Sequence, residues 1–318
     1  MLQVGLPISR KENEKRRALI PEDLRKLRHP DCIWIEKSYG DVLGYTDKDY
    51  IECGANVVPF EEVLKKDIIC DPKIGDEQYL NKLRPGQCIF GWVHAVQNRD
   101  ITDTIVNNGL SAYAWEDMFD EGRHCFWHNN VMAGEAAILH AFQIHGIMPE
   151  GKKVALIGRG NVASGALRIL TGLGANVTVY NRATEKLFQR EMDQYEVVVN
   201  GLLWDTSRKD HIIYRSDLSR LPKDALIIDI SCDHCGAIET SHATTIEDPI
   251  YTVDGVTHYA VDHTPALVYK TVSTGLSEQV ALYIDELIEE KPGKILRDAL
   301  IIDKGEIIDD RIKVYQNR

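Results

Sequence analysis

Residues 154 to 163 read Val-Ala-Leu-Ile-Gly-Arg-Gly-Asn-Val-Ala, and Ala166, Leu167, Ile169 and Leu170 follow at helical spacing. An apolar strand that runs through glycines into a helix aims the helix's first N–H groups at an anion; here the spacing is that of a pyrophosphate-binding turn. Gly158 allows the tight turn, Gly160 lets the backbone approach phosphate, and Ala163 takes the third glycine's place at the helix-to-strand contact. Arg159, Asn161 and Val162 complete the candidate contacts. The next strand, Asn176 to Tyr180, ends in Asn181-Arg182. An NAD site carries an acidic residue about 20 residues on, to bind ribose hydroxyls. A neutral donor and a cation there predict NADPH, with Arg182 on the 2′-phosphate. The plainer alternatives are a solvated charge at a strand end and a glycine turn that holds nothing.

Other reactive side chains are ambiguous one at a time. Arg16 lies in the charged stretch Glu12 to Arg17, where a solvated face is the default. Lys73 follows Asp71-Pro72, as a turn lysine would, and His94 ends the apolar stretch Cys88-Ile-Phe-Gly-Trp-Val-His. Cys232-Asp-His-Cys235 has the spacing of a zinc or redox pair, but no second C-x-x-C accompanies it. It follows the strand Ala225 to Ile230 directly, so a loop beside the cofactor is expected and no metal.

The elements that must position these residues alternate. Strands are expected at Leu2 to Pro7, Cys32 to Lys37, Val57 to Pro59, Asp67 to Asp71, Gln87 to His94 and Leu110 to Trp115. Helices between them begin at Pro21, Asp47, Phe60, Glu77 and Asp100. Asn130 to Gly146 forms a small-residue helix, after which strands recur at Val197 to Asn200, Ala225 to Ile230 and His258 to Val261. Val272 to Glu289 reads as one long amphipathic helix, and Lys304-Gly305 between two apolar runs as a hairpin. The βα alternation predicts an α/β protein of two Rossmann-like doubly wound domains with a cleft between them. Residues 1–128 plus 264–318 would form the substrate domain, with an NADP-binding domain, 129–263, inserted into it.

With 318 residues the chain is long enough for two cores. A formal charge of −12 argues against nucleic acid, and no apolar run reaches membrane-spanning length. Met1 leads straight into a strand, and seven scattered cysteines read as reduced thiols, so a cytoplasmic protein is expected.

Taken together, four stretches resemble the alanine dehydrogenase and transhydrogenase alpha-subunit superfamily. They are Arg16-Arg17-Ala-Leu-Ile-Pro21, Lys73 upstream of Leu83-Arg-Pro-Gly-Gln87, His94, and the nucleotide turn. Cys70-Asp-Pro-Lys73, Gly160-Asn-Val-Ala163, Ile238-Glu-Thr-Ser-His242 and Asp248-Pro-Ile-Tyr251 are most similar to the carboxyethylornithine synthase branch. The resemblance implies Arg16 as the carboxylate clamp, Lys73 and His94 as the proton-donating pair, and a homo-oligomer. Asp262 and His263, in Asp-His-Thr-Pro265, would cap the crossover or touch the cofactor ribose. The branch implies NADPH-dependent condensation of a 2-oxo acid, pyruvate, with a diamino acid, ornithine or lysine. An alanine dehydrogenase, a saccharopine dehydrogenase or an NADP-binding partner subunit are the alternatives. Alignment through Val253-Asp-Gly-Val-Thr-His-Tyr259 puts Gly255 where alanine dehydrogenases keep an Asp, with Asp254 out of register, which counts against ammonia as the amine.

Overall fold

The computed structural model describes residues 1–205, 208–232 and 235–318. They divide into two compact units, Met1–Trp127 with Tyr269–Arg318, and His128–Val268.

The first unit opens with β1 (Val4–Leu6), α1 (Pro21–Leu24), β2 (Ile33–Glu36), α2 (Asp47–Glu52), β3 (Asn56–Val58), α3 (Phe60–Val63) and β4 (Ile68–Cys70). It continues through β5 (Cys88–Gly91), α4 (Arg99–Asn107), β6 (Ser111–Ala114) and a ribbon of β7 (Phe119–Asp120) with β8 (Arg123–His124). The second unit contains most of α5 (Trp127–His145), then β9 (Lys153–Ile157), α6 (Asn161–Gly172), β10 (Asn176–Tyr180) and α7 (Glu185–Glu191). Its remaining strands are β11 (Val197–Asn200), β12 (Leu226–Asp229), β13 (Ile250–Val253) and β14 (Val256–Tyr259). The chain returns to the first unit with α8 (Tyr269–Ile288), α9 (Lys294–Asp298), β15 (Leu300–Asp303), β16 (Glu306–Ile307) and α10 (Asp310–Gln316).

Among the described residues the first sheet runs β16-β15-β6-β5-β4-β1-β2-β3 and the second β10-β9-β11-β12-β14-β13. From β3 to β6 the first is all parallel, in the doubly wound order that reverses between β1 and β4. In the second the order reverses between β9 and β11, and only the β13–β14 pair is antiparallel. Both units are therefore Rossmann-like.

Apolar runs form these strands because both faces of the second sheet are covered. Val154 and Leu156 of β9 lie in one core with Val197, Val199, Leu226 and Ile228. Ala155 and Ile157 alternate into the opposite core with Val198 and Ile227. A strand buried on both sides has no position left for a polar residue.

Among the differences from expectation are three local ones. The helix expected from Glu77 is a 3-10 turn, Gln78–Lys82. The strand expected to reach His94 ends at Gly91, and beyond it the N–H groups of Val93 and His94 donate to the Glu116 carboxylate instead of a ladder. The long late helix starts at Tyr269, three residues before Val272. The Lys304-Gly305 turn has φ of +48° and +82°, the left-handed pair that a two-residue hairpin needs.

Candidate active site

In doubly wound sheets, ligands bind beyond the carboxyl ends of the strands, where the order reverses. Asp71 to Lys73 directly follow β4, one of the two strands at the first sheet's reversal. His94 lies beyond the end of neighbouring β5, and Arg16 on the long loop after β1.

The loops after β4 and β5 are stitched together. Gly75 donates its N–H to the Trp92 carbonyl at 3.0 Å. A Cβ on Gly75 would stand 2.1 Å from the Val93 oxygen, and one on Gly91 2.0 Å from the Asp71 oxygen, so both contacts require glycine. Arg16 lies over the Trp92 ring, 5.2 Å from its centroid. Arg16, Lys73 and His94 thus gather around the segment Trp92–His94.

Each member has partners that sequence reasoning missed. Arg16 is buried, and Glu14 accepts from its Nε at 2.8 Å and its Nη2 at 2.5 Å. One edge of the guanidinium fork is therefore engaged by Glu14. Neighbouring Arg17 is structural, donating to the carbonyls of Tyr39 and Arg16. Lys73, 7% exposed, forms an ion pair with Asp76 at 3.2 Å, and Asp76 also accepts from Lys11 Nζ at 3.0 Å. Burial pushes the Asp76 carboxyl up, but Lys73, Lys11 and the charge of His94 together hold it below the ordinary range.

His94 has φ +53°, a left-handed conformation costly for a residue with a Cβ. Glu116 accepts its N–H at 2.5 Å, and Asn98 Nδ2 donates to its carbonyl at 2.8 Å. Burial pushes Glu116 up to about 7. Asp71, completely buried, accepts from the Tyr79 hydroxyl and the Lys73 N–H. Burial, reinforced by the nearby Glu77 charge, pushes Asp71 up to about 8. These carboxylates sit in charged or irregular stretches that read as solvated surface. Only Glu14, two residues before Arg16, carried a usable signal in its spacing.

The nucleotide-turn residues lie at the reversal of the second sheet. Gly158 has φ +129°, and a Cβ there would stand 2.8 Å from the carbonyl oxygen of Gly201, just past β11. Gly160, the N-cap of α6, has nothing within 4 Å of an added Cβ, so its face is open. The first helical bond of α6 runs from Ser164 N to Gly160 O, which leaves the N–H groups of Asn161, Val162 and Ala163 ahead of the ladder. With Arg159 exposed in the turn and no acidic residue in the first turn of α6, this cradle fits a pyrophosphate. Ala163, fully buried, makes the helix-to-strand contact. A Cβ on Gly165 would stand 2.0 Å from Val131 O, and one on Gly134 1.9 Å from Val162 O. The helices α5 and α6 therefore cross backbone to backbone behind the turn.

Arg182 is exposed at the end of β10, with Asp205 3.7 Å away. Asn181 Oδ1 accepts from Ala183 N at 2.9 Å and caps its own turn, which engages the amide oxygen and not its Nδ2 donor. Asp262 and His263 follow β14 on the same edge. His263 is buried and bonded through Nδ1 to Asp262 at 2.5 Å, so Asp262 alone presents its side chain outward. Thr264 Oγ1 ties this segment to Ala133 O of α5 at 3.0 Å.

Two expectations need correction or narrowing. Asp254 and Gly255 form the β13–β14 turn, at the start of β14 and hence on the sheet edge opposite the nucleotide turn. Asp254 there pairs with Arg215 at 2.8 Å. Cys232 Sγ lies 2.9 and 3.0 Å from the carbonyls of Asp229 and Ala260. Asp233 and His234, between Cys232 and Cys235, lie outside the described residues. Among the described residues no group of three or more His, Cys, Asp or Glu could hold a metal ion, and no helix is long and apolar enough to cross a membrane.

Two Rossmann-like sheets, one carrying a dinucleotide cradle and the other a cluster of acid–base groups, define a dehydrogenase-type oxidoreductase. The chain belongs to the alanine dehydrogenase/PNT family. Residues 5–127 match the model of its N-terminal domain and residues 181–315 that of its C-terminal domain. An N(5)-(carboxyethyl)ornithine synthase of Lactococcus lactis subsp. lactis is 30% identical over 294 residues, covering 87% of this chain and 94% of the relative. One of Clostridium botulinum is 29% identical over 300 residues, covering 89% and 94%. A solved L-alanine dehydrogenase superposes with a TM-score of 0.83 at 20% identity, over 99% of each chain. Members of this family are oxidoreductases of small molecules that use a nicotinamide nucleotide.

Proposed function

We propose that the protein is an NADPH-dependent reductase that joins pyruvate to the side-chain amine of L-ornithine, giving N(5)-(L-1-carboxyethyl)-L-ornithine. The names of the relatives at about 30% identity support this substrate pair. The observation that carries it is the gathering of Arg16, Lys73 and His94 around Trp92–His94.

In this reading Arg16 binds the pyruvate carboxylate. Lys73 donates to the carbonyl oxygen while the neutral side-chain amine attacks the carbonyl carbon, forming a carbinolamine. His94 moves the proton that lets the hydroxyl leave as water, which gives the imine. NADPH, when bound, supplies the hydride that reduces the imine carbon. The balance is pyruvate, ornithine, NADPH and one proton to product, NADP⁺ and water. The turn from Gly158 to Ala163 would hold the cofactor's phosphates, Arg182 the 2′-phosphate, and Asp262 the ribose end.

The test is NADPH oxidation by the purified protein. Pyruvate with ornithine is expected to consume NADPH, and lysine to serve as a weaker amine. Oxidation with ammonia in ornithine's place would mean alanine dehydrogenase chemistry. Oxidation only with 2-oxoglutarate and lysine would mean a saccharopine dehydrogenase. NADPH binding without turnover on any pair would mean a nucleotide-binding partner subunit. The reading extends to a cytoplasmic homo-oligomer, whose mass light scattering measures.

A further inference from the structure

Asp76 receives two ammonium groups on one oxygen. Lys11 Nζ is 3.0 Å from its Oδ2 and Lys73 Nζ 3.2 Å from the same atom. The carboxylate projects from a rigid turn, since Asp76 N donates to Lys73 O at 2.9 Å and the preceding residue, Gly75, is pinned to Trp92. Lys11 is held from its own side as well. Glu77 Oε1 accepts from its N–H at 3.2 Å, from Arg10 N at 2.7 Å and from the Ser9 hydroxyl. The segment that carries Arg16 and the loop that carries Lys73 therefore meet at two successive carboxylates.

We propose that Asp76 is a positioning residue that fixes the Lys73 ammonium for donation to the substrate carbonyl, while Lys11, sharing the same oxygen, leaves the group with one net positive charge for an anionic oxo acid. The inference rests on Lys73 being the proton donor of the proposed reaction. A lysine side chain is long and flexible, and a single carboxylate at its tip removes most of the orientations it would otherwise sample. Lys73 and Lys11 against Asp76 sum to one positive charge, in a partly buried place where solvent screens it less than at the open surface.

This division of labour gives opposite kinetic signatures. Asp76→Asn is expected to lower kcat on the order of 10- to 100-fold through misplacement of the donor, with KM for pyruvate unchanged or lower because the local charge becomes more positive. Asp76→Glu restores the charge and is expected to recover most of kcat. Lys11→Met is expected to raise KM for pyruvate about fivefold with kcat within about twofold. A second measurement needs no turnover: the rate at which acetic anhydride modifies Lys73 in the substrate-free protein, followed by peptide mass spectrometry. Asp76→Asn is expected to raise it about fivefold. An unchanged kcat and an unchanged modification rate in Asp76→Asn would overturn the inference. So would a joint loss of kcat and rise in KM that tracks a lower melting temperature, the mark of a merely structural residue. If the wild-type protein oxidises NADPH with no amine, the proposed function fails, and the modification rate still decides the role of Asp76.

Discussion

Gly75 donates its N–H to the carbonyl of Trp92 at 3.0 Å, and the atoms around its α-carbon leave no room for a methyl group. The obstruction is the Val93 backbone, which cannot rotate away as a side chain would. Gly75→Ala must therefore push the loop of Lys73 away from the loop of His94. We expect it to cost about 1–3 kcal/mol of stability. We also expect a fall in kcat/KM on the order of 100-fold, since in the proposed reaction the two groups act on one carbonyl. Chemical denaturation and steady-state kinetics on the same preparation check both.

Arg16 and Glu14 are both buried, and they form a bidentate pair. Glu14→Ala leaves a buried guanidinium with less compensation, at a cost of about 3–5 kcal/mol. Arg16→Lys keeps the charge but loses the planar fork, so KM for the oxo acid is expected to rise at least about tenfold. Titration calorimetry with pyruvate separates this binding loss from any loss of fold.

Arg182 is exposed and carries a long ion pair to Asp205. Its removal costs the fold little. Arg182→Ala is expected to weaken adenosine 2′,5′-bisphosphate on the order of 10-fold while leaving 5′-AMP nearly unchanged. Equal weakening of both ligands would show that this arginine does not read the 2′-phosphate.

Glu116 and Asp71 make stability depend on pH with a definite sign. Burial raises Glu116 from 4.5 to about 7, and burial with the Glu77 charge raises Asp71 from 3.8 to about 8. A carboxyl whose folded value lies above its unfolded value binds more protons when folded, so stability falls as pH rises between the two values. The melting temperature is expected to decline from about pH 5 to pH 8 through these groups. Asp71→Asn should flatten that decline at its upper end, and Glu116→Gln near neutrality. A melting temperature that rises across this range in the wild type, and is unaffected by both substitutions, would contradict the assignment.

The nucleotide half was the more legible in the sequence because its signals are local. Val154 to Ile157 had to be apolar at every position to be buried on both faces, and Gly158 and Gly160 punctuate the run. The acid–base half is built from long-range contacts that no spacing encodes. Trp92 and Val93 continue an apolar stretch, so the pattern carries the strand to His94. The strand stops at Gly91, and the N–H groups of Val93 and His94 donate to Glu116, 23 and 22 residues away. Asp76 and Glu77 read as surface charge, and their meaning appears only once Lys11 is folded against them. Gly134 sits in an alanine-rich helix where a glycine lowers helix propensity, and its use appears only where α6 crosses it.

The antiparallel pairing of β15 with β6 joins segments separated by nearly two hundred residues, with the whole nucleotide-binding unit between them. On the ribosome, the inserted unit is complete and free to fold while β6 still waits for its neighbour. Until Leu300 to Asp303 emerge, that sheet edge offers unpaired backbone to any passing strand. The order of synthesis thus makes the acid–base half the late-maturing and aggregation-exposed one. Chaperone dependence should accordingly follow the integrity of the last helix and hairpin more than that of the nucleotide turn.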